Sequence, residues 1–165
     1  MKRAIFTFYN LSLDTDIVRL QAEVVNKFNT TADFLPLCSQ THGEEVIHPD
    51  AVDYGFQQLF LEQKYETILL LDVDCIPLNA YALEYTFEQA EKGKLIGNVQ
   101  RGMHLDNDEH NYVAPSAFCL TRQMYGDFGG LSVKPDHVKA DCCGYYTYAA
   151  QERGIEVEMY PPTHF

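Results

Sequence analysis

Thr67-Ile68-Leu69-Leu70-Leu71-Asp72-Val73-Asp74-Cys75-Ile76-Pro77 is the stretch from which the rest of the chain is read. Five residues without polar alternation, bounded by Glu66 and Asp72, fit a strand buried on both faces, the pattern of a central parallel strand with helices on each side. Two acids then arrive abruptly where the strand ends. A buried, unpaired carboxylate is expensive, so this point needs a cation or several hydrogen-bond donors. In open α/β sheets the carboxyl end of a central strand is where ligands bind. Asp72 and Asp74 share strand parity, which turns both toward one crevice. Aspartates ahead of a proline-containing loop also cap turns, and that reading stands beside the first.

Upstream, Ala4-Ile5-Phe6-Thr7-Phe8-Tyr9 is a β-rich run, and Asp14-Thr15-Asp16 supplies cap-type residues before Ile17, Leu20, Val24 and Phe28 recur at helical spacing. Ala32 to Leu37 predicts a second strand, placed at a sheet edge or strand end by Pro36, which has no N–H for a ladder. Pro49 suits the first position of a helix that Val52, Phe56, Leu59 and Phe60 carry to about Lys64. Downstream the pattern predicts a helix over 80–91, a strand over 95–99, a polar loop and an apolar run from Tyr112 to Leu120 broken by Pro115. A helix from Asp141 to Arg153, stopped by Gly154, and the strand Ile155 to Tyr160 complete it. On that helix Tyr145 and Tyr148 share a face, read as packing on the sheet, which leaves Tyr146 as the more exposed ring. Strands alternating with helices define an α/β fold. No repeat or linker divides residues 1–165, so they are read as one domain.

The 165 residues are 46% apolar and 22% charged, ordinary globular composition. With 12 Lys+Arg against 24 Asp+Glu the net charge is −12, which disfavours nucleic acid and anionic lipid as partners. An anionic substrate remains compatible if a bound cation inverts the local field. Cys38, Cys75, Cys119, Cys142 and Cys143 form no CxxC and are odd in number, so they read as reduced, mostly buried small hydrophobes. The start, Met1 to Phe6, is interrupted by Thr7, Tyr9 and Asn10 before it builds a signal-peptide core, and no window offers the ~20 apolar residues of a membrane span. The expected location is cytoplasmic.

Ile68-Leu69-Leu70-Leu71-Asp72-Val73-Asp74, together with the opening Phe6-Thr7-Phe8-Tyr9-Asn10, resembles nucleotide-sugar-dependent glycosyltransferases of the GT-A fold. Their hallmark is a DxD after an apolar strand, holding a divalent cation against the donor diphosphate. The resemblance implies a Rossmann-like, mixed and mostly parallel sheet flanked by helices. Tyr112-Val113-Ala114-Pro115-Ser116-Ala117-Phe118 resembles the family's acceptor-side strand, and Gly129-Gly130 falls where a flexible glycine loop is expected. Asp141 stands where the family's acidic motif places a catalytic base or acceptor positioner, although Ala140 precedes it here. Ile155 to Tyr160, then Pro161-Pro162-Thr163-His164, resembles the late strand after which a metal-binding histidine follows. The likeness runs from Phe6 to His164 as sparse motifs in a chain short for the family, a small or minimal version.

What the resemblance implies is a transfer of sugar from a nucleoside diphosphate donor, of UDP or GDP type, to a hydroxyl acceptor. Asp74 is then a direct ligand of Mn²⁺ or Mg²⁺, Asp72 contacts the ribose or the metal, and His164 joins as the third ligand. Thr7 and Tyr9 line the base and ribose pocket, and Asp141 is the catalytic residue. His104 to His110 packs several ligand types into seven residues, but its spacing fits neither a zinc helix nor an EF-hand, and it reads as a solvated loop over the acceptor side. Two other readings remain open: nucleotidyl transfer, against which there is no glycine-rich basic loop after the first strand, and a non-catalytic nucleotide- or carbohydrate-binding module.

Overall fold

Thr67–Leu71 form a strand in which all five residues are buried, and the sheet is assembled around it. The computed structural model describes residues 1–10, 15–29, 31–38, 40–41, 44–45, 48–102, 110–136 and 138–161. In chain order these form β1 (Arg3–Tyr9), α1 (Thr15–Phe28), β2 (Ala32–Cys38), a small hairpin of β3 (Gln40–Thr41) and β4 (Glu44–Glu45), and α2 (His48–Phe56). A π-helix (Gln57–Glu62) leads to β5 (Thr67–Leu71), α3 (Ala80–Glu91), β6 (Leu95–Arg101), β7 (Asn111–Thr121), α4 (Arg122–Asp127), α5 (Gly144–Glu152) and β8 (Val157–Tyr160).

Six strands form one sheet in the order β2-β1-β5-β7-β6-β8. β1 pairs in parallel with β2 and β5, and β6 with β8, whereas β7 runs antiparallel to both β5 and β6. This is a mixed, mostly parallel α/β sheet with β2 at its edge, where Pro36 opposite Thr7 leaves no interior ladder broken.

Alternation along β5 divides its side chains between two cores. Ile68 and Leu70 join Phe6, Phe56, Phe60, Phe118, Tyr125 and Tyr146 under α2, the π-helix, α4 and α5. Leu69 and Leu71 join Ile5, Val25, Leu83, Phe87 and Cys119 under α1 and α3. Phe56 is the hub of the first core, with the ring centroids of Phe6, Phe60, Phe118, Tyr125 and Tyr146 at 5.5, 5.8, 6.0, 6.1 and 6.3 Å.

Several local expectations are corrected by tertiary contacts. α1 does not turn Ile17 and Leu20 inward; they are 40% and 55% exposed, and the buried positions are Gln21 and Val25. The helix predicted over 49–64 is α2 followed by a π-helical segment. Pro115 does not break β7; it sits in an irregularity where Asn98 alone on β6 faces Ala114 to Ala117. Tyr146, expected to be exposed, is fully buried against Phe56, Phe118 and Phe128, and Tyr145 and Tyr148 face outward, half-buried. The five cysteines are free thiols, of which Cys119 and Cys143 are buried and the other three half-buried.

The β6–β7 irregularity brings backbone against backbone at Gly97, where an added Cβ would lie 1.9 Å from the Ala117 carbonyl oxygen. Gly97→Ala is expected to destabilise the protein by about 2–3 kcal/mol, lowering Tm by roughly 6 °C in a calorimetric scan.

Candidate functional site

β5 ends at Leu71, and Asp72 to Cys75 is a turn rather than a continued strand, so parity does not aim the acids. The turn closes with the Cys75 N–H donating to the Asp72 carbonyl at 2.8 Å. Asp72 is half-buried and its own N–H donates to the Ser116 carbonyl of β7 at 3.3 Å, while Asp74 is exposed. Burial, with the charges of Asp74 and Asp72 beside it, pushes the Cys75 thiol up to about 12, so it stands neutral between them.

Gln21 of α1, 1% exposed, reaches beneath this turn. Its amide nitrogen donates to the Asp72 carbonyl at 2.7 Å and the Cys75 carbonyl at 2.8 Å. Its Oε1 is buried and has no partner among the described residues, a burden of about 1–3 kcal/mol for a buried acceptor. Sequence reading missed Gln21; the one available signal is a glutamine beside the apolar stripe, which by itself reads as solvent-facing.

The first strand ends beside this turn. Thr7 is fully buried on the side of β1 that carries Ile5, and its Oγ1 has no partner among the described residues. Tyr9, the last residue of β1, is half-buried and registers with Cys38. Both occupy the carboxyl end of the sheet with Asp72.

β7 ties Asp72 to the other candidate acid. Ser116 holds the Asp72 N–H, and its Oγ accepts from Asn98 Nδ2 at 3.2 Å. Four residues earlier, the Tyr112 hydroxyl donates to Asp141 Oδ2 at 2.9 Å. At about 3.3 Å per residue the two anchor points stand at most about 13 Å apart along β7. Burial and the Asp141 carboxylate push the Tyr112 phenol up, so it remains a donor.

Asp141 does not open α5 as expected; the helix begins three residues later, after Cys143 takes a left-handed φ of 66°. Asp141 Oδ1 accepts from the Cys142 N–H at 2.8 Å, and its carbonyl accepts from the Gly144 N–H at 2.8 Å. Asp136 organises the approach to this turn: its Oδ1 accepts the N–H groups of Val138, Lys139 and Ala140 at 2.9, 2.8 and 3.0 Å, and the Tyr145 hydroxyl donates to Oδ2. Gly129 and Gly130, with φ of 74° and 66°, close the end of α4 through bonds to the Gly126 and Tyr125 carbonyls, an anchored turn rather than a free loop.

His164 and residues 103–109 of the histidine-flanked loop lie outside the described residues. Among the described residues no three His, Cys, Asp or Glu groups form a metal cage. In chemistry, though not in number, the two carboxylates at the turn, one half-buried and one exposed, would suit a hard Mg²⁺ or Mn²⁺ ion. A cavity of about 610 Å³ lies at the opposite, amino end of the strands, lined by Glu66, Glu91, Arg122 and Met124. It is remote from both candidate acids.

No family model and no curated relative matches the chain. Solved structures do match its fold. The catalytic domain of Drosophila β1,4-galactosyltransferase 7 with xylobiose is 13% identical with a TM-score of 0.64, covering 96% of this chain and 65% of that one. A mutant of that enzyme holding manganese, UDP-Gal and xylobiose is 15% identical with a TM-score of 0.65. The 4-diphosphocytidyl-2C-methyl-D-erythritol synthase of Anaerococcus prevotii is 9% identical with a TM-score of 0.60, covering 99% and 90%. A Desulfovibrio desulfuricans protein assigned as a nucleotide-diphospho-sugar transferase, 9% identical, also has a TM-score of 0.60 over 98% and 80%. The chain thus has the GT-A-like fold of nucleotide-diphospho-sugar transferases, and it spans just under two thirds of the length of the galactosyltransferase domain.

The Tyr145 hydroxyl and three backbone N–H groups hold Asp136 below the usual carboxylate range. A carboxylate with a lowered folded pKa contributes stability that is present above about pH 4 and lost as pH falls through the folded value. The Tm gap between wild type and Asp136→Asn is therefore expected to stay constant from pH 8 to about 5 and to close below about 4. Thermal scans across pH read it.

Proposed function

We propose that the chain is a small DxD-type glycosyltransferase that moves a sugar from a nucleoside diphosphate donor, of the UDP or GDP type, to a hydroxyl acceptor. The observation that carries this reading is the pair of acids emerging directly from the fully buried β5, at the carboxyl end of a GT-A-like sheet. A divalent cation, Mn²⁺ or Mg²⁺, would supply Lewis-acid stabilisation of the departing diphosphate. Exposed Asp74 is its direct ligand in this reading, and Asp72 reaches the ribose or the metal through water. His164 is the proposed third ligand. Thr7 offers an unpartnered hydroxyl, and Tyr9 a half-buried ring, to the base and ribose.

On the acceptor side Asp141 takes the proton of the attacking hydroxyl as that oxygen bonds to the anomeric carbon and the bond to the diphosphate breaks. Tyr112, protonated throughout, fixes the carboxylate by its 2.9 Å hydrogen bond. A cation held at Asp74 also reconciles an anionic donor with a chain of net charge −12. Five free thiols suit a reducing compartment, and we assign the protein to the cytoplasm.

Nucleotidyl transfer on the same fold is the second reading, favoured by the likeness to the diphosphocytidyl-methylerythritol synthase. Against it, Asn10-Leu11-Ser12-Leu13-Asp14 after β1 carries neither the glycines nor the basic residue of a phosphate loop.

Thermal unfolding with MnCl₂ and a panel of nucleoside diphosphate sugars tests the donor site. One donor at a hundred times its Kd is expected to stabilise the fold by about 2.7 kcal/mol, in the presence of metal only. Asp74→Asn is expected to remove that shift and to lower turnover at least about 100-fold. Asp141→Asn is expected to keep the shift while losing transfer to the acceptor. Absence of any donor shift in wild type would overturn the reading.

A further inference from the structure

α1 is oriented against its own hydrophobic interest. Ile17 and Leu20, 40% and 55% exposed, stand in solvent, while Gln21 occupies one of the two buried positions of the helix. Placing Leu20 inward in its stead would bury apolar surface and spare an amide. What the observed orientation secures is specific: both hydrogens of the Gln21 amide are spent on carbonyls at the two ends of one turn, those of Asp72 and Cys75, which bracket Asp74. Places where a local rule is broken are expected at functional sites.

We propose that Gln21 is a positioning residue for the Asp72–Asp74 turn. Its amide fixes the two carbonyls and thereby the direction in which the Asp74 carboxylate leaves the backbone. The Asp72 carbonyl already accepts the Cys75 N–H, so Gln21 braces from below a turn that this bond closes. Side chains that orient a ligating residue in this way typically change metal affinity 10–100-fold when removed. The link to metal rests on the donor-site reading above; the hold on the turn does not.

The test compares Gln21→Met, which keeps the length and loses both donors, with Val25→Ala, which loosens the same buried face without touching the turn. Two quantities are read: amide hydrogen exchange at Cys75 in the ligand-free protein, and Mn²⁺ affinity in the presence of UDP by titration calorimetry. Gln21→Met is expected to keep Tm within about 3 °C of wild type. It should speed exchange at Cys75 at least about tenfold and weaken Mn²⁺ binding at least about tenfold. Val25→Ala is expected to lower Tm by about 6 °C and to leave both readouts at wild-type values.

Wild-type exchange and affinity in Gln21→Met would overturn the proposal, as would equal losses in Val25→Ala. If Gln21→Met does not fold, Gln21→Leu, which likewise has no donor, is read in its place. A wild-type protein that binds neither Mn²⁺ nor UDP overturns the donor-site reading instead, and the exchange rates then decide the role of Gln21 on their own.

Discussion

Thr67 to Leu71 have no solvent-facing side, each being at most 5% exposed, and a strand of this kind cannot be extended by a carboxylate. It must end where the first acid begins. That constraint fixes the place of the Asp72–Cys75 turn at the carboxyl edge of the sheet and requires helices on both faces of β5. Two neighbours then hold the turn: the Gln21 amide of α1, which donates to the Asp72 and Cys75 carbonyls, and the Ser116 carbonyl of β7, which accepts the Asp72 N–H.

β7 does for the site what no parallel strand could. Because it runs against β5 and β6, its first half lies at the carboxyl end of the others, where Ser116 meets Asp72 and Tyr112 meets Asp141. The irregularity around Pro115 separates these two contacts, and Gly97 makes room for it on β6. One strand therefore spaces Asp72 from Asp141, the acids proposed for the donor and acceptor sides. Asp136 completes the frame by gathering the backbone just before Asp141.

The sheet was legible where burial alone decides it. β5 reads from five apolar residues in succession, β1 from its β-rich run, and the edge position of β2 from Pro36. Features decided by partners distant in sequence were not legible. Gln21 turns inward for carbonyls 51 and 54 residues away, which no helical period contains. The start of α5 depends on a left-handed Cys143, a conformation that favours glycine and is not signalled by cysteine. Tyr146 fills the space left by Phe56, Phe118 and Phe128, so its burial is a property of the assembled core. At the candidate site, Asp72 and Asp74 stand out in the sequence by their abruptness after β5, whereas Ser116, Asn98 and Asp136 are common residue types whose meaning lies in what they touch.

Anomalous X-ray scattering from Mn²⁺ in crystals grown with UDP tests the central claim most directly. The account predicts one manganese at the carboxyl end of β5, ligated by Asp74 and by oxygens of the diphosphate. Manganese and UDP bound elsewhere, for instance in the amino-end cavity beside Arg122, would contradict it.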